Sequence, residues 1–102
     1  MQKQFIVGEV YFRVTYPGPT LNYPLIESLI YVGKNLSDED SEDTWYFQFA
    51  ESYAKSGSIL ETSGGDRGVV CVNQHELHEM FDQDQLLAKL SAARERRSKG
   101  EA

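Results

Sequence analysis

VNQHELHEMFDQDQLL, residues 72–87, decides how this chain leaves its sheet and enters its helices. Asn73 is a good helix N-cap, and Glu76 stands three residues later, where its carboxylate can reach back to the Asn73 N–H. Val72 and Leu77 flank the cap as a hydrophobic staple. The same grammar then repeats: Asp82 caps, Gln85 completes the box, and Phe81 and Leu86 form the staple. Two N-termini nine residues apart predict two helices, about 74–81 and about 83–96, joined by a kink at Asp82, with a single bent helix as the alternative. In the second, Leu86, Leu87, Leu90 and Ala93 form the apolar stripe.

Upstream the pattern changes from helical to alternating. FIVGEVYFRVTY, residues 5–16, is rich in β-branched and aromatic residues and predicts a half-buried strand with its even positions inward and a bend or bulge at Gly8. PGPTLNYP, residues 17–24, holds all three prolines and must be a loop. LIESLIYVGKNL, residues 25–36, has apolar groups on both faces, as a central strand does. TWYFQF, residues 44–49, predicts a third strand with Trp45, Phe47 and Phe49 on one side. AESYAKSG predicts a short helix ending at Gly57. SILE (58–61) and the run at 69–72 predict two short strands around the glycine-rich turn TSGGDR, forming a hairpin or extending the sheet.

The expected fold is therefore α+β: one domain over residues 1–97 with a frayed tail at 98–102. A twisted, mainly antiparallel sheet of four or five strands forms a meander. It carries two C-terminal helices, with curling toward a small barrel as the alternative.

Charge is unevenly distributed. The chain of 102 residues has a formal charge of −6, yet residues 1–88 carry 14 acidic against five basic side chains, and residues 89–102 carry five basic against two acidic. An acidic body repels phosphate, which disfavours direct nucleic-acid binding. No stretch approaches the ~18 apolar residues of a membrane span, and the N-terminal run reads as a strand rather than a signal peptide. A single cysteine, Cys71, forms no internal disulfide, so a reducing cytoplasm is the expected setting.

Four features carry chemistry in principle. His75 and His78 lie three apart on one helical face, the spacing of a two-ligand metal clip, but HELHE is not HExxH, and Leu77 and Met80 must turn inward and push the histidines outward. The expected reading is a solvated face with no metal and no cofactor. Cys71, between Val70 and Val72, is expected to be buried and inert. SDEDSED, residues 37–43, packs five carboxylates (Asp38, Glu39, Asp40, Glu42, Asp43) into seven positions. It fails the calcium-loop pattern, because Asp43 stands where a glycine is needed and Phe49 where a glutamate is. Six tyrosines exceed what one small core needs; Tyr23, in the proline-rich loop, and Tyr46, opposite Trp45 and Phe47, are the two that could face a partner.

With no catalytic constellation, the expected function is that of a small acidic, non-enzymatic interaction module, an accessory or inhibitor-type protein with a basic protein partner. Its contact residues would be Asp38, Glu39, Asp40, Glu42, Asp43, Tyr23 and Tyr46, and a homodimer is compatible with the pattern. Two alternatives stand beside it: a small-molecule or metal-binding domain using the aromatics or His75 and His78, and an acidic mimic of nucleic acid.

Overall fold

The computed structural model describes residues 4–60 and 68–99. It shows five antiparallel strands in the order β4-β3-β2-β1-β5: β1 (Val10–Thr15), β2 (Leu25–Lys34), β3 (Thr44–Phe49), β4 (Val69–Asn73) and β5 (Met80–Phe81). The first three form the expected meander, paired Tyr11 to Leu29 and Tyr31 to Phe47. A short helix α1 (Ala50–Ser56) follows β3, a 3-10 helix (Gln74–Glu79) follows β4, and α2 (Gln83–Ser98) follows β5. The sheet curls into a half-barrel with the helices packed on it.

Both capping boxes of the 72–87 stretch are present. Asn73 accepts from the Glu76 N–H and Glu76 accepts from the Asn73 N–H, at 3.0 and 3.1 Å. Asp82 and Gln85 make the same exchange at 2.8 and 2.9 Å. The first helix is shorter and tighter than the expected α-helix over 74–81. It ends at Glu79, and Met80 and Phe81 become a strand that pairs with Arg13 and Phe12. Six residues thus carry the chain from one edge of the sheet to the other.

That crossing explains the curl. Five strands lying flat would hold their outer members about 19 Å apart. Six residues of 3-10 helix advance only about 12 Å. The sheet must bend to bring β4 and β5 within reach, and the enclosed concavity is the core. Tyr11, Leu29, Tyr31, Trp45, Phe47, Val72, Leu77 and Met80 fill it, with Leu77 as the plug from the bridging helix.

Two irregularities upstream assist the closure. Residues 6–9 make a tight turn, with the Glu9 N–H on the Ile6 carbonyl and Gly8 at φ +90°, a value that disfavours any side chain. The turn folds Phe5 back over the core, 4.8 Å edge-on to Tyr11 and 5.4 Å edge-on to Phe47. β1 accordingly starts at Val10 rather than at residue 5, and Ile6 is exposed. In β2 the register slips between Tyr31 and Gly33. Gly33 takes φ +154° where the strand kinks, a conformation that L side chains rarely adopt.

Three further expectations give way. The even face of β1 is not the only inward one: Tyr11 enters the main core, while Val14 is buried on the opposite side. α2 packs on β1 and β5, so β1 is covered on both faces. Residues 58–60 form no strand, so no hairpin forms there; β4 extends the sheet by pairing with β3, and the turn at 62–67 lies outside the described residues. The segment after α1 is held by Gln48, fully buried on the outer face of β3. Its amide donates to Ser52 Oγ and the Gly57 carbonyl and accepts from the Ile59 N–H, each at 3.0 Å. In α2, Leu86 and Ala93 are buried and Leu90 is half-buried, but Leu87 faces solvent.

Truncating Leu77 to Ala should cost about 2–5 kcal/mol, the range for a leucine removed from a core. Removing the Asp82 cap by Asp82→Ala should cost about 1 kcal/mol. Urea unfolding monitored by Trp45 fluorescence checks both; equal losses would show that the bridging helix closes nothing.

Candidate functional site

The acidic loop between β2 and β3 is organised by its own hydrogen bonds. Asn35 takes a positive φ of 54°, a conformation asparagine tolerates. Its side chain accepts from the Thr44 N–H at 2.8 Å and donates to Asp43 Oδ1 at 3.1 Å. Lys34 stands 3.4 Å from Asp43 and lies over the Trp45 ring. The Asn35 hydrogen bond and then the Lys34 ammonium hold the Asp43 carboxyl below its usual range. At the loop's centre the Tyr46 hydroxyl lies 2.9 and 2.8 Å from the two oxygens of Asp40, which also accepts from the Ser37 N–H at 3.2 Å.

The five carboxylates therefore divide by role. Asp40 and Asp43 fasten the loop to β3 and to the end of β2. Asp38, Glu39 and Glu42 are exposed, and their carboxylates make no hydrogen bond or ion pair with the described residues. Tyr46 is only half-exposed, and its hydroxyl is committed to Asp40, which together with burial pushes its pKa up to about 12.

Tyr23 does not join this group. It is 67% exposed, but it lies before β2, whereas the acidic loop lies after it. The ten residues of β2 put roughly 33 Å between them. There Tyr23 stacks with Arg97, 5.5 Å from guanidinium carbon to ring centre.

Cys71 overturns its expected burial. The register that pairs Trp45 with Val72 and Phe47 with Val70 sends both valines inward, so Cys71 faces out beside Tyr46. Partial burial and then the Asp40 charge push its thiol pKa up, which keeps it protonated despite its exposure. His75 and His78 are both exposed. His78 Nδ1 lies 2.6 Å from the His75 carbonyl; as the donor, it leaves Nε2 as the free nitrogen. Among the described residues, no three His, Cys, Asp or Glu side chains converge as metal ligands would.

A cleft of about 420 Å³ opens between β1, the bridging helix and α2, lined by Val14, Tyr16, His78, Glu79, Phe81 and Lys89. Sequence reading missed it, because only the closure of β5 onto β1 brings these residues together.

No protein-family model matches the chain, and neither a curated protein nor a solved structure is significantly similar to it. Among the described residues, no helix is long and apolar enough to cross a membrane.

The Tyr46–Asp40 bond has a pH signature. A phenol whose pKa is raised on folding contributes stability that is complete below its unfolded value, about 10, and is lost as pH rises toward 12. Tyr46→Phe should abolish that part of the alkaline loss, and Asp40→Asn should return the Tyr46 titration toward the ordinary phenol range. Phenolate absorbance of parent and variants across pH 9–13 measures it, and a Tyr46 titration unchanged in Asp40→Asn would contradict the assignment.

Proposed function

We propose that the protein is a small non-enzymatic docking module that presents the β2–β3 loop to a basic protein partner, and that it works in a reducing cytoplasm. The observation that supports this most is the division of labour within the loop. Two of its carboxylates brace it against Asn35, Lys34, Ser37 and Tyr46, while Asp38, Glu39 and Glu42 are left free. A braced loop loses little conformational entropy when a partner arrives, and three unpaired carboxylates on one loop steer a cationic surface toward it. Tyr46 serves as a brace in this reading, and Tyr23 belongs to another surface.

A second reading rests on the 420 Å³ cleft, whose lining mixes Val14, Tyr16 and Phe81 with His78, Glu79 and Lys89, the Lys89 ammonium over the Phe81 ring, a combination of apolar and polar groups suited to a small molecule. The nucleic-acid-mimic reading shares the acidic loop with the first and differs only in what the captured partner normally binds.

The test is a triple variant, Asp38→Asn with Glu39→Gln and Glu42→Gln, which spares both braces. Its thermal midpoint should match the parent. In capture from source-cell lysate, the partner held by the parent should be depleted, and its association rate should fall about tenfold or more at low salt. The rate with the parent should itself fall steeply as salt rises past about 0.1 M. Full affinity and unchanged salt dependence in the triple variant would reduce the loop to a solvated turn.

A further inference from the structure

The end of the molecule opposite the acidic loop is its chemical complement. The last turns of α2 carry Arg94, Arg96, Arg97 and Lys99 against a single carboxylate, Glu95. Arg96 donates to the Leu21 carbonyl and Arg97 to the Asn22 carbonyl, the latter at 2.7 Å. Arg96 also stacks on Tyr16, and Arg97 on Tyr23. These contacts position the guanidinium groups without neutralising them, since carbonyls and rings carry no net charge. None of the ion pairs among the described residues involves them: Arg13–Glu27, Lys34–Asp43 and Lys55–Glu51 all lie elsewhere. The Arg96 Nε–H is buried without an acceptor. Beside the arginines, Leu21 and Tyr23 are each more than half exposed, as is Leu25 at the start of β2.

Cations at a helix C-terminus have a local reason to be there, about 0.3–1 kcal/mol each against the helix dipole. That accounts for the charge but not for the exposed apolar groups beside it. A surface combining fixed arginines, tyrosines and leucines fits an acidic segment with an apolar neighbour. This chain contains one: Asp38, Glu39 and Glu42, next to Leu36, which is 41% exposed. The two ends cannot satisfy each other within one molecule. The ten residues of β2 stand between them, roughly 33 Å, and charges separated by more than about 8–10 Å are screened at physiological salt.

We propose that the Arg94/Arg97–Tyr23 end is the docking surface for the acidic β2–β3 loop of a second copy of this chain, the two copies lying antiparallel. The inference rests on the reading of that loop as a docking surface and names its basic partner. The antiparallel arrangement makes both contacts at once under two-fold symmetry, so the assembly closes at two. The second contact then forms at high effective concentration.

Sedimentation velocity at about 100 μM protein, in salt well below and well above the ~0.1 M at which the screening length falls to ~10 Å, tests it. The parent should be dimeric in low salt and monomeric in high. Arg94→Glu with Arg97→Glu gives two acidic ends and should be monomeric throughout. Asp38→Lys with Glu39→Lys and Glu42→Lys gives two basic ends and should also be monomeric. An equimolar mixture of the two should recover a heterodimer. Arg94→Glu alone, which leaves the Arg97–Asn22 bond intact, should still weaken the dimer about fivefold or more, and matching thermal midpoints confirm that the variants fold. A parent that is monomeric in low salt overturns the inference, and so does a mixture that fails to assemble. An open series of larger species overturns the antiparallel geometry. Capture of a different basic protein by the loop, with the parent itself monomeric, would leave the loop reading standing and defeat this one.

Discussion

Closure across six residues is the constraint on which this fold depends. The 3-10 helix from Gln74 to Glu79 joins the two outermost strands, and a flat sheet would not let it reach. Curling supplies the concavity into which Trp45, Phe47, Tyr31 and Tyr11 converge, and it sets β5 beside β1. It also places Asp82 at the rim, where its cap starts α2 back across β1. Leu77 ties these consequences together, because the segment that spans the opening also seals it. A chain of this size buries only roughly 65% of its unfolded surface. A core of interlocked rings, with edge-to-face contacts worth about 0.5–1.5 kcal/mol beyond their area, is one way to draw enough stability from so little volume.

The same closure gives the molecule two ends. β2 runs between them, with the proline-rich loop before it and the acidic loop after it, and α2 delivers its basic terminus to the first of these. The basic C-terminal run thereby lies at the other end of β2 from the acidic loop, roughly 33 Å away. Of the three described ion pairs, only Lys34–Asp43 touches the acidic loop, and it leaves Asp38, Glu39 and Glu42 uncompensated. Lys55–Glu51 is a solvated pair of the kind that contributes little, and Arg13–Glu27 links neighbouring strands at mid-sheet.

What was legible in the sequence is what local chemistry determines. Both capping boxes could be read because N-cap and third-position residues meet within one turn, whatever the rest of the chain does. The inward side of β3 could be read because Trp45 and Phe47 leave no choice. What escaped depended on partners distant in sequence. Met80 and Phe81 continue a helical pattern until Arg13 and Phe12 offer them a ladder. Cys71 and its flanking valines compete for one core face, and only the pairing with β3 decides in favour of the valines. Gln48 looks like an outward polar residue in a strand, and it is outward, but α1 folds back over it and turns it into a buried bracket with all three of its hydrogen bonds made. At the candidate site, the density of carboxylates was visible and their division was not. Asp40 and Asp43 look like Asp38 until Tyr46 and Asn35 come within reach.

That division bears on why so repulsive a loop persists. Five like charges in seven positions raise the free energy of any compact arrangement, and a purely solvated turn has no use for braces that hold them together. Here the Asn35 side chain spans the loop's neck, the Tyr46 hydroxyl grips Asp40 from the sheet, and Lys34 lies between Asp43 and Trp45. Each contact restrains the loop while leaving the remaining three carboxylates uncompensated. If the only demand were solubility, scattered charge on a loose loop would meet it at lower cost. The arginine–tyrosine end of the same molecule carries the opposite charge on groups that are likewise held in place, by the Leu21 and Asn22 carbonyls and the Tyr16 and Tyr23 rings.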